Sequence, residues 1–284
     1  MTVKTSSSPY VPWRDRRGNF SAFKAITFGL LFAPAFWMYV MYAMGGFSHS
    51  PIPSLIYFSG IWAIWGLLLT LTVTPLSTSL GWTALMSVRR MLGLAGLGYT
   101  ILHIAVYVVL RKYNGKAIFD ELIGRWTIIF ATLSSIGLLA LGLTSTDAAV
   151  RTLGSRIWHR LQSTVYVLSL LAILHFLLSP LAVGPLPFTM AGIYFWLMTW
   201  RVARYCSQEI RRPKVLLRIT LISTCFTFAF ELVWLDVYQH LSPYMIAMAN
   251  LELDLGLSAT WQILILGLTI CSLSRNLAKQ GNAP

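Results

Sequence analysis

The chain has 284 residues, of which 56% are hydrophobic and only 11% are charged, and its mean hydropathy is +0.67. A soluble domain carries about 25% charged residues, so this composition excludes an ordinary water-soluble protein and indicates an integral membrane protein. The formal charge of +13 does not indicate nucleic-acid binding, because the Lys and Arg residues are confined to short segments between long apolar runs.

The first segment, residues 1–22, is polar and basic, and the apolar run after it lacks a signal-peptide cleavage site. We therefore predict a cytoplasmic tail that leads into an uncleaved first transmembrane helix. The three cysteines, Cys206, Cys225 and Cys271, are too far apart in sequence to predict a disulfide framework or a zinc site.

Long apolar runs separated by turn residues follow this tail. A helix needs about 20 mostly apolar residues to cross a hydrocarbon core about 30 Å thick. On this rule we predict an all-α integral membrane protein with eight spans in one bundle. The predicted spans are 23–44, 55–75, 90–110, 126–144, 157–178, 186–204, 215–236 and 257–274.

Basic residues are distributed unequally between the segments that join these spans. If the N-terminus is cytoplasmic, only four of the 22 Lys and Arg residues fall in outer segments, namely Arg111, Lys112, Lys116 and Arg125. Cytoplasmic segments of membrane proteins carry the excess of basic residues. We therefore predict that both termini lie in the cytoplasm.

The chain has five histidines, and two of them lie inside predicted spans. His49 and His240 fall in outer loops, and His159 lies near the inner end of the fifth span. His103 and His175 lie within apolar runs, where an imidazole without a partner is costly. Each comes late in a helix that runs outward, so both are expected in the outer half of the membrane.

Two imidazoles at the same depth on two helices are the axial ligands that a haem b requires, because the porphyrin supplies the four equatorial nitrogens. His103 and His175 are therefore candidate haem ligands. The alternative is that each is a structural histidine held by a hydrogen bond, and the sequence leaves both open.

Three further residues, which precede His103 in the sequence, are candidates for cofactor binding. Gly96 precedes His103 by seven residues and so shares its helix face, where it would allow close approach of a macrocycle or of a neighbouring helix. Arg89 and Arg90 could pair with the anionic groups of haem or of a flavin phosphate. Both arginines are equally explained as anchors at the inner end of the third span.

Several motifs together resemble the haem-binding membrane subunits of the MsrQ (YedZ) family, which belongs to the ferric-reductase-like transmembrane superfamily. The resemblance covers roughly residues 20–205. The motifs that carry it are Thr74-Pro75-Leu76, Gly81-Trp82, Arg89-Arg90-Met91-Leu92-Gly93-Leu94, Leu102-His103, Leu143-Thr144-Ser145-Thr146, Trp158-His159-Arg160-Leu161, Val165-Tyr166 and Ile173-Leu174-His175-Phe176.

The resemblance implies a b-type cytochrome of the bacterial inner membrane, with a six-helix ferric-reductase-like, haem-binding domain at residues 23–205. It implies that electrons come from the quinone pool or from a reduced flavin, with a flavin reductase as a further donor. It also implies that they pass to a periplasmic molybdopterin subunit that repairs methionine sulfoxide. FMN or a quinone is then a second cofactor to expect.

The chain departs from the family pattern at the inner end of the fifth span. The family reads W-x-x-L-H, whereas this chain has Gln162 at the position of the histidine and His159 three residues earlier. Gln162 lies about 20 Å below His175 along a helix. We therefore predict one haem. A second haem would need His159, which otherwise is an interfacial residue or part of a quinone or flavin site, with Gln162 beside it.

A second departure is the C-terminal extension at residues 206–284, which holds the last two predicted spans beyond the usual six. Glu231 and Asp236 lie near the outer end of the seventh span. They could dock a partner or bind a proton or cation. We favour the simpler interpretation that they form an acidic helix end on the outside, which the positive-inside rule allows.

Two other functions remain open from the sequence. One is a self-contained transmembrane reductase of ferric iron or another external acceptor, and the other is a haem-free transporter or assembly protein. The chain lacks a strand–G-x-G-x-x-G–helix unit for NAD(P)H. Electrons must therefore come from a separate protein or a diffusible carrier.

Overall fold

The computed structural model describes residues 11–15, 18–47, 50–207, 209–252 and 256–280. His49 and much of the predicted tail 1–22 lie outside these residues. The described residues form helices joined by short loops, and their only extended pairing is an isolated bridge between Arg14 and Phe20. The predicted all-α fold class is confirmed.

The helices are numbered here in chain order, and a short 3₁₀ turn at Thr83–Ser87 lies between the third and fourth of them. Their bounds are α1 Ala22–Leu30, α2 Ala33–Ala43, α3 Pro51–Leu80, α4 Arg89–Leu110, α5 Gly115–Gly124, α6 Trp126–Leu143, α7 Asp147–Leu153, α8 Ser155–Ser163, α9 Val165–Leu177, α10 Leu186–Cys206, α11 Pro213–Gln239, α12 Pro243–Leu251 and α13 Ala259–Gln280.

Among the described residues, six helical segments are long and apolar enough to cross a membrane: α1 with α2, α3, α4, α6, α8 with α9, and α11. They coincide with six of the eight predicted spans. The other two predicted spans, 186–204 and 257–274, are also helical, as α10 and α13. The aromatic and basic residues of α10, such as Trp200 and Arg201, lower its hydropathy. The total of eight crossings and the cytoplasmic termini remain predictions.

Local sequence explains where several helices begin and end. Asn114 and Thr146 cap α5 and α7, because each side chain accepts a hydrogen bond from the backbone N–H three residues later, at 3.1 Å. Gly81 ends α3 in the left-handed region with a φ of 72°, which glycine adopts without strain.

The first predicted span is divided in two. α1 ends at Leu30 and α2 begins at Ala33, and Pro34 in the first turn of α2 has no N–H to donate. The hydroxyl of Tyr99 on α4 donates to the carbonyl of Leu31 at 2.6 Å and accepts from the backbone N–H of Ala35 at 3.2 Å. Tyr99 thus satisfies backbone groups that the break leaves free.

The centre of the bundle is α3, which packs along α4 and also contacts α9 and α10. The crossing with α4 is close at Gly66, where an added Cβ atom would lie 2.6 Å from the Cα atom of Gly96. On the far side of α4, α6 packs along α9, where Ser134 donates to the carbonyl of Leu168 at 2.9 Å.

The C-terminal helices continue the same bundle. α11 packs against α10 and α13, and α13 also contacts α3. The hydroxyl of Ser274 on α13 donates to the carbonyl of Ser79 on α3 at 3.2 Å. The boundary between a domain at 23–205 and an extension at 206–284 therefore remains a prediction from sequence.

Candidate functional site

His103 lies on α4, and its imidazole forms a hydrogen bond with the neighbouring helix α3. Its Nδ1 atom lies 2.9 Å from the carbonyl oxygen of Ile56 and 3.4 Å from Oγ of Ser59. Because a carbonyl oxygen can only accept, Nδ1 must carry the proton and donate. Nε2 of the same ring is then unprotonated, and its lone pair is available to bind a metal.

A glycine of α3 lies directly against the imidazole of His103. A Cβ atom added to Gly60 would lie 3.0 Å from both Nδ1 and Cε1 of that ring. Such a contact is tighter than ordinary van der Waals packing, so any larger side chain at Gly60 would push the ring away. Gly60 was not predicted as a site residue. The sequence feature that could have indicated it is a glycine in α3 close to Ile56 and Ser59.

His175 on α9 has the same arrangement with a different neighbour. Its Nδ1 atom lies 2.9 Å from the carbonyl oxygen of Thr127, the second residue of α6. The ring therefore also donates through Nδ1 and presents Nε2. Within the described residues, no hydrogen bond reaches Nε2 of either His103 or His175.

Both histidines lie at the same end of the bundle. Ile56 and Thr127 lie near the beginnings of α3 and α6, whereas His103 and His175 lie near the ends of α4 and α9. The two imidazoles are close enough to interact electrostatically. The depth of both histidines in the outer half of the membrane remains a prediction.

This donor set fits a bis-imidazole metal site. Histidines that ligate metals usually donate their second ring nitrogen to a backbone carbonyl or carboxylate, which fixes the tautomer and raises the basicity of the ligand. Both His103 and His175 satisfy that condition. Within the described residues, no three His, Cys, Asp or Glu side chains form a cluster.

A polar network covers the same end of the bundle. Glu121 on α5 accepts a hydrogen bond from Tyr107 and forms ion pairs with Arg111 and with Arg125, whose Nη1 atom lies 3.7 Å from Oε1 of Glu121. Arg125 also interacts electrostatically with His175. From the sequence, Arg111 and Arg125 were predicted only to lie in segments outside the membrane.

The ionisation of Glu121 reflects this network. Burial raises the pKa of the Glu121 carboxyl, but the hydrogen bond from Tyr107 and the charges of Arg111 and Arg125 outweigh it, so the pKa lies below its ordinary value. Glu121 is therefore a carboxylate at neutral pH, paired with two guanidinium groups.

Arg89 and Arg90 lie at the opposite end of α4 from His103, about 20 Å away along the helix. Arg90 forms an ion pair with Asp147 of α7 at 2.7 Å, which ties the beginning of α4 to the segment after α6. The structure does not bring either arginine to the histidine pair. A role for them at an inner flavin site remains a prediction.

Gly96 allows close approach of a neighbouring helix, which is one of the two roles that the sequence left open. An added Cβ atom would lie 3.3 Å from the backbone of Gly66 and Leu67 on α3. Gly96 therefore permits close packing of two helices, as small residues commonly do in membranes. No cofactor is needed to explain its position.

Gln162 on α8 contacts the end of α6. Its Nε2 atom donates to the carbonyl of Leu141 at 3.1 Å and lies 3.4 Å from Oγ1 of Thr144. Nearby, Nε1 of Trp158 donates to the carbonyl of Thr144 at 2.8 Å. Carbonyls in the last turn of a helix lack intrahelical donors, so these side chains satisfy them. This structural role accounts for Gln162.

His159 lies on the exposed side of α8, with its ring 5.0 Å from the ring of Trp158 in an edge-to-face arrangement. It precedes His175 by 16 residues, or about 24 Å along a helix. The position agrees with the interfacial interpretation, and it separates His159 from the pair formed by His103 and His175.

Glu231 and Asp236 differ in their surroundings. Asp236 is exposed, but the side chain of Glu231 is buried, with only 7% of the residue accessible. The interpretation of both as an acidic helix end on the outside remains a prediction, but Glu231 differs from Asp236 because α12 and α13 pack against α11.

The sequence of the chain matches a known class of membrane protein. The family described as the ferric reductase like transmembrane component matches residues 59–173, a range that contains His103 and ends two residues before His175. No solved structure matches the chain. The chain is therefore a multi-pass protein of the bacterial inner membrane with a ferric-reductase-like transmembrane domain.

Individual relatives narrow this class. The protein-methionine-sulfoxide reductase heme-binding subunit MsrQ of Brucella anthropi is 34% identical over 183 residues, which are 64% of this chain and 82% of that protein. The MsrQ proteins of Brucella ovis and Brucella canis are each 35% identical over 174 residues, 61% of this chain and 78% of theirs. The chain belongs to the MsrQ family.

Proposed function

We propose that this chain is a haem-binding electron-transfer subunit in which Nε2 of His103 and Nε2 of His175 would hold the iron of one haem b. The observation that carries the proposal is the matched pair of Nδ1 hydrogen bonds to the carbonyls of Ile56 and Thr127. A haem bound there would supply a one-electron carrier within the membrane.

The chain itself prepares both ligands. Each backbone carbonyl fixes the tautomer of its histidine and prevents rotation of the ring, so little order has to be gained when a metal binds. Gly60 leaves the space that the ring of His103 occupies. Both ligands project from long, packed helices, which hold a site more precisely than loops do.

Arg111 and Arg125 are the proposed partners of the haem propionates. Guanidinium groups bind carboxylates strongly, and these two lie at the same end of the bundle as the histidine pair. Glu121 holds both guanidinium groups near this position. Arg111 and Arg125 would then bind the carboxylates of a haem held by His103 and His175.

The direction of electron transfer follows from the predicted orientation. If the histidine pair lies in the outer half, the haem would deliver electrons on the periplasmic side. The relatives are named as subunits of a protein-methionine-sulfoxide reductase. We propose the corresponding periplasmic reductase, a molybdopterin subunit, as the acceptor.

The electron donor is proposed on the inner side. Among the described residues, one pair of buried histidines lies at this end of the bundle, and Gln162 stands where the family pattern has a histidine near the inner end of the fifth span. A quinone or a reduced flavin bound near the inner ends of α4 and α8 would then begin the path. Arg89, Arg90 and the exposed His159 are the residues to test there.

A reduced-minus-oxidised absorption spectrum of the purified protein, with haem measured per chain in the same sample, tests the proposal. About one low-spin haem b per chain is expected from one bis-imidazole site. Two haems per chain would contradict the single site and make His159 a ligand. An absence of haem after expression with ample haem would overturn the proposal and favour a transporter or assembly protein.

A further inference from the structure

A buried carboxyl on α11 is not used by the proposed electron path. Glu231 is 7% exposed and belongs to a stripe of buried polar residues on one face of α11, together with Thr220, Ser223 and Thr227. A carboxylate buried in a membrane protein without a partner is costly, so such a residue normally has a functional or paired role.

The carboxyl has polar neighbours on two other helices. The side chains of Asn250 on α12 and Thr260 on α13 lie within reach of the Glu231 carboxyl, but neither contact has the geometry of a hydrogen bond. Asn250 is itself 7% exposed, and its Nδ2 atom is engaged with the carbonyl of Ile246 at 3.1 Å. Three helices therefore converge on the carboxyl of Glu231.

Oxygen atoms at this position lack hydrogen-bond partners. Within the described residues, Oε2 of Glu231, Oδ1 of Asn250 and Oγ1 of Thr260 are buried and make no hydrogen bond of acceptable geometry. Oγ of Ser258, two residues before Thr260, is in the same condition. Most buried polar atoms in proteins have a partner, so a group of unpartnered oxygens requires an explanation.

The three helices that carry these oxygens supply neither a lysine nor an arginine near the carboxylate. The sequence from 219 to 274, which spans most of α11, all of α12 and most of α13, contains neither Lys nor Arg. Among the described residues, the ion pairs do not include Glu231.

The polar neighbours are held in place by further contacts. Nε1 of Trp261 donates to the carbonyl of Asn250 at 2.8 Å, which ties α13 to the end of α12. Oγ1 of Thr189 on α10 donates to Oε1 of Gln262 at 3.0 Å. These contacts connect the beginning of α13 to α12 and to α10.

We propose that Glu231, Asn250 and Thr260 form a binding site for a hard monovalent cation, Na⁺ or K⁺. The donors are all oxygen atoms, which hard cations prefer. One carboxylate balances one positive charge. A divalent cation would leave a net charge of +1 in a low-dielectric environment, which is costly.

The proposal is tested on the full chain in detergent by measuring the temperature of unfolding in NaCl, KCl and choline chloride, each at about 0.15 M. Choline is too large and too weakly coordinating for an oxygen site of this kind. We expect the Tm to be about 2–4 °C higher in NaCl or KCl than in choline chloride. Equal Tm values in the three salts would overturn the proposal.

Two isosteric variants locate the effect. Glu231→Gln should remove the difference between the salts, whereas Asp236→Asn, which makes the same chemical change at an exposed position of the same helix, should keep it. Thr260→Val removes one neutral ligand and should reduce the difference, so the test does not depend on how well Glu231→Gln folds. A salt difference that persists in both Glu231→Gln and Thr260→Val would contradict the site.

A protonated carboxyl is the competing explanation. In that case the Tm of the wild-type protein would change with pH and would be the same in all three salts, which would overturn the cation site. The haem spectrum reports separately on the histidine pair. A missing haem would therefore leave the cation result unaffected, and a missing salt effect would leave the haem proposal unaffected.

Discussion

Arg201 on α10 donates to the carbonyl of Leu71 on α3, with Nη2 2.9 Å from the oxygen. In an unbroken helix this carbonyl would accept the N–H four residues later, but that residue is Pro75, which has none. The guanidinium also lies over the ring of Tyr166, 4.6 Å from its centre. Arg201 therefore repairs the helix that carries Ile56 and connects α3, α9 and α10.

Replacing Arg201 should destabilise the protein. In Arg201→Met the carbonyl of Leu71 would be left buried without a donor, at a cost of about 1–3 kcal/mol. Arg204→Met is the matched control, because Arg204 is exposed on the same helix one turn later. Denaturant unfolding followed by Trp fluorescence measures the difference. Equal stabilities of the two variants would show that Arg201 does not support α3.

Replacing either proposed ligand should remove the haem. We expect His103→Ala and His175→Ala to abolish haem incorporation, because one imidazole cannot hold a low-spin six-coordinate iron. His159→Ala should leave the haem content nearly unchanged. Haem per chain, measured with the circular dichroism of the same sample as a check on folding, gives the result. Loss of half of the haem in His159→Ala would contradict a single site.

Gly60 should be required for the geometry of His103. In Gly60→Ala the new methyl group would lie 3.0 Å from the ring, so the ring must move and its hydrogen bond to Ile56 must weaken. We expect lower haem occupancy and an altered low-spin electron paramagnetic resonance spectrum. Gly98→Ala on α4 is the control, because nothing lies within 4 Å of an added Cβ there. Identical spectra for the two variants would contradict the assigned contact.

The histidine pair could be predicted from sequence because depth in a membrane follows from counting along a helix. The charged ends of each span mark the membrane surfaces, and each residue rises by about 1.5 Å. His103 and His175 could therefore be assigned to one level before any contact was known. The hydrogen bonds to Ile56 and Thr127 could not, since they depend on which helices are neighbours.

The roles of some residues could not be predicted from the sequence, because they depend on contacts between helices that are distant in sequence. Gly96 faces α3 because α3 and α4 cross at Gly66, and helix periodicity alone does not identify the neighbour. Glu231 lies near a helix end, but α12 and α13 fold back over it, so its distance from that end did not indicate its burial. Gln162 contacts the end of α6, which the linear pattern also does not show.

The network at Glu121 should make stability depend on acid pH. Its folded-state pKa is lowered, so its pairing with Arg111 and Arg125 stabilises the protein fully above the unfolded pKa of about 4.3 and is lost as the pH falls through the lower folded value. Between pH 7 and pH 5 we therefore expect no contribution of Glu121 to the change in Tm.

The variant Glu121→Gln isolates this contribution. It should have a lower Tm than the wild type at neutral pH, because the two guanidinium groups lose their carboxylate, and the difference should shrink as the pH falls below about 4. Asp120→Asn, a neighbouring change of the same kind, serves as the control, since Asp120 is exposed. Parallel curves of Tm against pH for the wild type and Glu121→Gln would show that Glu121 is not the titrating group. If the difference in Tm between the wild type and Glu121→Gln shrinks at low pH, the titrating carboxylate is Glu121. Glu121 would then be the group that orients Arg111 and Arg125, the proposed partners of the haem propionates.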